Sequence, residues 1–253
     1  MTKTLRERLA EPDARLTLTF LTTGSPLVAL AAAAAGLDAA MIDMEHGAID
    51  HADAQALAAA LSGHRTAPII RIAENTDAAV KRALDVGAEG ICFPLIRDAA
   101  DARWAVAALR YPPEGTRPLG PFLAPFQFGQ SVPDYIAGFN RRVVCMLLAE
   151  TREAVENIEE IAAVPGVDLI VPARFDLSAA YGVPGQTDHP DVQAATDRIE
   201  AACTAAGLPL SGVVRTAADA AALWRRGYRM IATIDAFGLR QMFEQLQGWT
   251  RDA

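Results

Sequence analysis

Residues 142–178 read RVVCMLLAETREAVENIEEIAAVPGVDLIVPARFDLS, and the fold can be read outward from them. RVVCMLLA is short, apolar and partly β-branched, and a carboxylate, Glu150, follows it at once. TREAVENIEEIAAV then takes up helical spacing, with Val155, Ile158, Ile161 and Ala162 on one face. VDLIVP returns to an unbroken apolar run, and ARFDLS places Asp176 just past its end. Strands without polar alternation are covered on both faces, as parallel strands joined by helices are.

The same unit recurs along the chain. RLTLTFL, AAMIDM, APIIRI and GICFPL precede this stretch, and LPLSGVV and RMIATI follow it. Gly87, Gly207 and Gly227 stand where intervening helices are expected to stop. Eight strand–helix units in 253 residues predict a (β/α)8 TIM barrel, with residues 1–253 as a single domain. An open doubly wound sheet is the alternative. The connection over residues 110–141 is long for a compact domain, which marks it as functional, interfacial or disordered.

Net charge is -8 and no basic run is present, which excludes nucleic acid and anionic membrane as expected partners. MTKTLRERLAEPDARL lacks the apolar centre of a signal segment, and LVALAAAAAGLDAAMI, broken by Gly36 and Asp38, reads as a helix followed by a strand. Cys92, Cys145 and Cys203 lie in separate apolar segments, so reduced core thiols and a cytoplasmic location are expected.

In a barrel, chemistry sits where strands end. Asp43, Glu45 and His46 close the second strand, Arg71 the third and Glu150 the fifth, while Asp176 lies beyond the sixth. Glu150 and Asp176 offer two hard oxygen ligands suited to Mg²⁺ or Mn²⁺, leaving positions for the oxygens of a 2-oxo acid. Imidazole titrates near neutral pH, so His46 can move a proton, and Arg71 can hold oxyanion charge. DLS is expected to open a helix beside the metal. A Schiff-base route needs a strand-end lysine, but the two lysines fall elsewhere, Lys3 near the terminus and Lys81 within a helix. Neither GxGxxG nor GxxxxGK occurs. Asp43 and Glu45 read equally as orienters of His46 and as acceptors for strand-end N–H groups. Arg117 and its loop read equally as a lid and as a subunit contact. His51, His64 and His189 are assigned to surfaces, and Trp104, Trp224 and Trp249 to packing or interfaces.

IDMEHGAID, IIRIAENT, VKRALDVGAEGI, RYPPEGTRPLG, ETREAVENIEEIAAVPGVDLI and DLSAAYGVPGQTDHPDV together cover much of the chain. In this combination the sequence resembles the HpcH/HpaI family of metal-dependent (class II) pyruvate aldolases, in the phosphoenolpyruvate/pyruvate barrel superfamily. The resemblance implies a barrel whose last helix is exchanged between subunits of a homo-oligomer, a trimer or hexamer. It implies reversible cleavage of 4-hydroxy-2-oxo acids to pyruvate and an aldehyde with Mg²⁺, Mn²⁺ or Co²⁺. By position it makes Glu150 and Asp176 the metal ligands, His46 the base, Arg71 the oxyanion partner and Asp85 the acid paired with the histidine. Asp85 ends the helix that precedes the fourth strand, at the opposite end of the barrel from His46, so such pairing requires a neighbouring subunit. The pocket departs from the family pattern. Leu148 replaces a glutamine, Ala173, Arg174 and Phe175 replace Gly-Pro-Ala, and Pro118 replaces a glycine. With Asp176 and Arg71, the residues Leu148, Ala173, Arg174 and Phe175 form the expected substrate surface, and the departures point to altered specificity or to reduced aldolase activity. A related lyase, such as a 2-oxo-acid decarboxylase or acyl-CoA lyase, and a non-catalytic binding or assembly barrel are the competing readings.

Overall fold

The computed structural model describes residues 3–250. Its strands are β1 (Leu16–Leu21), β2 (Ala39–Asp43), β3 (Ala67–Arg71), β4 (Gly90–Phe93), β5 (Val144–Ala149), β6 (Leu169–Pro172), β7 (Ser211–Val213) and β8 (Met230–Ile234). Every expected apolar run contains one. All ladders are parallel, in the order β6-β5-β4-β3-β2-β1-β8-β7. A bridge between Ile170 and Leu210 joins β6 to β7 and closes the ring. The result is a (β/α)8 barrel.

Alternation along the strands divides the core in two. Leu18, Phe20, Met41, Ile69, Cys92, Met146, Leu148, Val171 and Met230 fill the interior. Ile42, Ile70, Ile91, Leu147 and Ile170 face outward, into a layer shared with Leu57, Val80, Ile158 and Ile199 of the surrounding helices. Helices end before Gly87, Gly207 and Gly227, all with positive φ.

The floor of the barrel is sealed by the helix Leu5–Leu9, which begins with a capping box between Thr4 and Glu7. Leu5 and Leu9 join the interior cluster. Residues just before alternate strands fasten this helix. Arg8 pairs with Asp38 ahead of β2. Glu89 ahead of β4 accepts from the Leu5 N–H (3.0 Å), and Asp168 ahead of β6 pairs with Arg6 (2.8 Å). Arg229, ahead of β8, donates to the Leu9 carbonyl (3.2 Å).

Two expectations need correction. The segment after β5 is two short helices, Arg152–Glu156 and Ile158–Ala162, broken at Asn157, although Val155, Ile158, Ile161 and Ala162 are all buried as expected. The connection over residues 110–141 carries the helices Ala124–Gln127 and Val132–Arg142. Pro125 and Pro133 sit in their first turns, where a missing N–H costs nothing. The last helix, Asp235–Trp249, leaves Phe237, Met242, Phe243, Leu246 and Trp249 more than half exposed. No described helix is long and apolar enough to cross a membrane, and all three cysteines are free and buried.

Candidate active site

The inward series 39, 41 in β2, 67, 69 in β3 and 144, 146, 148 in β5 is apolar, and one step further each becomes charged. Period-two alternation therefore sets Asp43, Arg71 and Glu150 as the top inner layer at the C-terminal ends of these strands. Asp43 and Arg71 are register partners across β2 and β3. Their side chains meet in a two-point pair, Nε to Oδ1 at 2.8 Å and Nη2 to Oδ2 at 2.6 Å. Arg71 Nη1 lies 3.2 Å from Glu45 Oε2, and the guanidinium sits over the Phe20 ring at 5.2 Å. Burial opposes charge on Asp43, but the Arg71 hydrogen bonds and charge, together with the His46 and Glu45 N–H groups, outweigh it and hold its carboxyl below the usual range.

Asp43 also accepts from the backbone N–H groups of Glu45 and His46, both at 3.2 Å. Asp43 thus takes the role of acceptor for strand-end N–H groups, shaping the turn that carries His46, and it also orients Arg71. The turn is tight. A Cβ on Gly47 would lie 2.3 Å from the Asp43 carbonyl oxygen, so only glycine fits. His46 is exposed, with Nε2 3.9 Å from Glu45 Oε2.

Glu150 is buried, and the Leu95 N–H donates to its Oε1 at 2.5 Å. Leu95 takes φ 51°, a left-handed conformation costly for a leucine, which directs that N–H to the carboxylate. Burial pushes Glu150 up to about 7. The Leu95 N–H opposes this, and the charges of Asp176 and Glu45 reinforce it. Pairing of Ala149 with Pro172 sets Glu150 beside Ala173, and Asp176 stands in the turn above.

The β6 end differs from expectation. The helix Arg174–Ala180 begins at Arg174, so Asp176 lies in its first turn instead of opening it. Ala173 is the uncapped N-cap, and its N–H donates to the Ala149 carbonyl (3.1 Å). Arg174, expected against substrate, points instead to the following loop, donating to the Thr187 carbonyl (2.7 Å) and pairing with Asp188 (3.2 Å). Phe175 is 71% exposed, so it stands at the rim without narrowing the interior. Leu148 is buried in the interior, one layer beneath Glu150.

Asp85 does not meet His46 of its own chain. Its Oδ1 accepts from Arg117 Nη2 at 2.7 Å. Arg117 is fully buried, an arrangement that neither reading of its loop anticipated. An arginine amid tyrosines and phenylalanine in an otherwise loop-like stretch was the available signal.

No described group of three or more His, Cys, Asp or Glu side chains forms a ready metal cage. The donor set fits a hard divalent cation held at two points. Burial and the like charges of Asp176 and Glu45 raise the Glu150 carboxyl to about 7, and a cation beside it would relieve both.

The profile of the family described as HpcH/HpaI aldolase/citrate lyase matches residues 16–238. The chain is 36% identical over 214 residues to the 2-dehydro-3,6-dideoxy-6-sulfogluconate aldolase of Pseudomonas putida, covering 85% of this chain and 84% of that protein. It is 35% identical over 214 residues to the 5-keto-4-deoxy-D-glucarate aldolase of Enterobacter sp. (strain 638), covering 85% and 82%. A crystal structure of an HpcH/HpaI aldolase/citrate lyase family protein from Burkholderia cenocepacia J2315 matches with a TM-score of 0.91 at 33% identity, over 98% of each chain.

Proposed function

Since the chain belongs to the HpcH/HpaI aldolase/citrate lyase family and is a carbon–carbon lyase of the aldolase kind, we propose that it cleaves 4-hydroxy-2-oxo acids reversibly to pyruvate, or a close 2-oxo acid, and an aldehyde, using a divalent cation. One observation carries this reading: a buried carboxylate, Glu150, and a second, Asp176, share the barrel rim with the locked Asp43–Arg71 pair and the exposed imidazole of His46.

Glu150 and Asp176 would hold Mg²⁺, Mn²⁺ or Co²⁺. When bound, the cation supplies Lewis acidity toward the carboxylate and keto oxygens of the acid. Arg71, immobilised by Asp43, faces negative charge that develops on the keto oxygen without having to reorganise. His46 takes a proton from the methyl carbon of pyruvate in the condensation direction and returns one to that carbon after cleavage. The named relatives act on sugar-derived acids. The exposed Phe175, one residue before Asp176, supports a different acceptor aldehyde for this chain. The apolar face of the helix Asp235–Trp249 supports a homo-oligomer in which that helix packs on a neighbour, and Asp85 would then reach His46 from the adjoining protomer.

Deuterium exchange into the methyl group of pyruvate tests the reading. Exchange is expected to vanish with EDTA and return with Mg²⁺, Mn²⁺ or Co²⁺. His46→Ala is expected to lose about 10²–10⁴-fold while still binding the cation. Parent-rate exchange by cation-free protein would defeat the cation's role, and parent-rate exchange by His46→Ala would defeat the base.

A further inference from the structure

RYPPEGTRP builds a buried socket around one charge. The backbone of this loop folds tightly onto the end of the helix Ala99–Leu109: the Thr116 N–H donates to the Ala107 carbonyl and the Arg117 N–H to the Arg110 carbonyl, both at 2.8 Å. A Cβ on Gly115 would lie 2.3 Å from the Ala107 oxygen and 2.4 Å from the Arg110 oxygen, so glycine is what permits this approach. The Arg117 side chain turns inward from there. Its guanidinium carbon lies 4.5 Å from the Tyr111 ring centroid, 4.4 Å from Phe139 and 6.0 Å from Tyr135.

Within this socket the guanidinium has one carboxylate partner among the described residues. Nη2 donates to Asp85, whereas Nε and the Tyr111 hydroxyl are buried without a hydrogen-bond partner among the described residues. A buried arginine normally satisfies its fork. Here the aromatic walls hold the cation by its faces, and the carboxylate of Asp85 is its ionic partner among the described residues. Asp85 is a quarter exposed, with Oδ1 committed to Arg117. The adjoining surface is apolar: Leu119, Phe122 and Phe126 are exposed, and the same segment is pinned beside Asp85 where Gln127 Nε2 donates to the Val86 carbonyl (2.7 Å).

We propose that Arg117 is a positioning residue for the reaction: gripped by Tyr111 and Phe139, it fixes Asp85 through Oδ1 and presents Oδ2 to His46 of an adjoining protomer. The proposal rests on the shared-site reading above. Asp85 acts on the imidazole, and Arg117 acts only through Asp85. The socket's construction is thereby accounted for. A flexible partner such as lysine would let the carboxylate swing, whereas a guanidinium clamped by rings does not.

The test uses the full chain loaded with Mn²⁺, with pyruvate methyl exchange followed across pH for Arg117→Met, Arg117→Lys, Asp85→Asn and the Asp85→Asn/Arg117→Met double variant. Arg117→Met is expected to lower kcat about 10- to 100-fold with little change in KM for pyruvate. The acidic limb of its kcat profile is expected to move to lower pH by about 1 unit, since an imidazole without an aligned carboxylate is less readily protonated. Arg117→Lys keeps the charge and is expected to fall between, which preserves the test if Arg117→Met does not fold. The double variant is expected to match Asp85→Asn. A folded Arg117 variant with the parent kcat and pH limb would overturn the proposal, as would a double variant whose losses multiply. Parent-rate exchange by Asp85→Asn would instead show that the shared-site reading itself has failed.

Discussion

At the scale of residues, the rim works through pairs. Asp43 carries the most, joining Arg71 and the turn that presents His46, yet a strand-end aspartate among other acids gave no sign of which role it takes. Removing it as Asp43→Ala leaves Arg71 facing Glu45 alone in a buried setting. Chemical denaturation is expected to show a loss of about 3 kcal/mol, the usual cost of breaking a buried ion pair from one side. Glu150 titrates where it can be measured. Its carboxyl is raised from 4.5 to about 7 by burial, with Asp176 and Glu45 adding to the shift. The fold therefore favours the neutral form, so the stability it contributes is present below the ordinary carboxylate range and lost as pH rises through about 7. The melting temperature of cation-free protein is expected to fall between about pH 5 and pH 8, and Glu150→Gln is expected to flatten that slope. Mn²⁺ affinity measured by calorimetry should climb over the same window, because proton and cation compete for one oxygen.

At the scale of elements, legibility followed burial. The strands were readable because parallel strands covered on both faces need unbroken apolar runs. Glu150 and Arg71 were readable as strand ends for the same reason. The floor helix Leu5–Leu9 was not, since five residues cannot show a helical period and its fastening to Asp38, Glu89, Asp168 and Arg229 is wholly long-range. Arg174 misled because its neighbours in sequence lie at the site while its side chain is captured by the loop at Thr187. The terminal helix has a fastening of its own. Asp235 accepts from the Thr22 and Thr23 N–H groups (3.0 and 3.1 Å) and from both hydroxyls (2.6 and 2.7 Å). Burial alone would raise its carboxyl, and these bonds hold it below the usual range. Asp235→Ala strands four donors at the end of β1. A loss of about 1–3 kcal/mol is expected in thermal unfolding, together with weaker assembly of the proposed homo-oligomer in light scattering.

At the scale of the whole molecule, one chain holds Asp85 and His46 at opposite ends of the barrel, so the proposed site is completed by assembly. His46→Ala and Asp85→Asn protomers, each nearly inactive alone, are expected to recover exchange when unfolded together and reassembled. Random mixing of two kinds leaves roughly one quarter of the sites with both groups intact. Recovery tracked against the mixing ratio should peak at equal amounts, and a flat response would place both groups within one protomer.

The sealed floor has a kinetic consequence. With Leu5 and Leu9 closing one end, a bound acid enters and its fragments leave by the same mouth. The fragment nearest Glu150 is the last in the queue. The aldehyde must depart first and pyruvate second, so cleavage should follow an ordered uni-bi scheme. Pyruvate would then compete with the hydroxy-oxo acid for free enzyme, while added aldehyde would lower the maximal rate as well, and double-reciprocal plots should separate the two patterns.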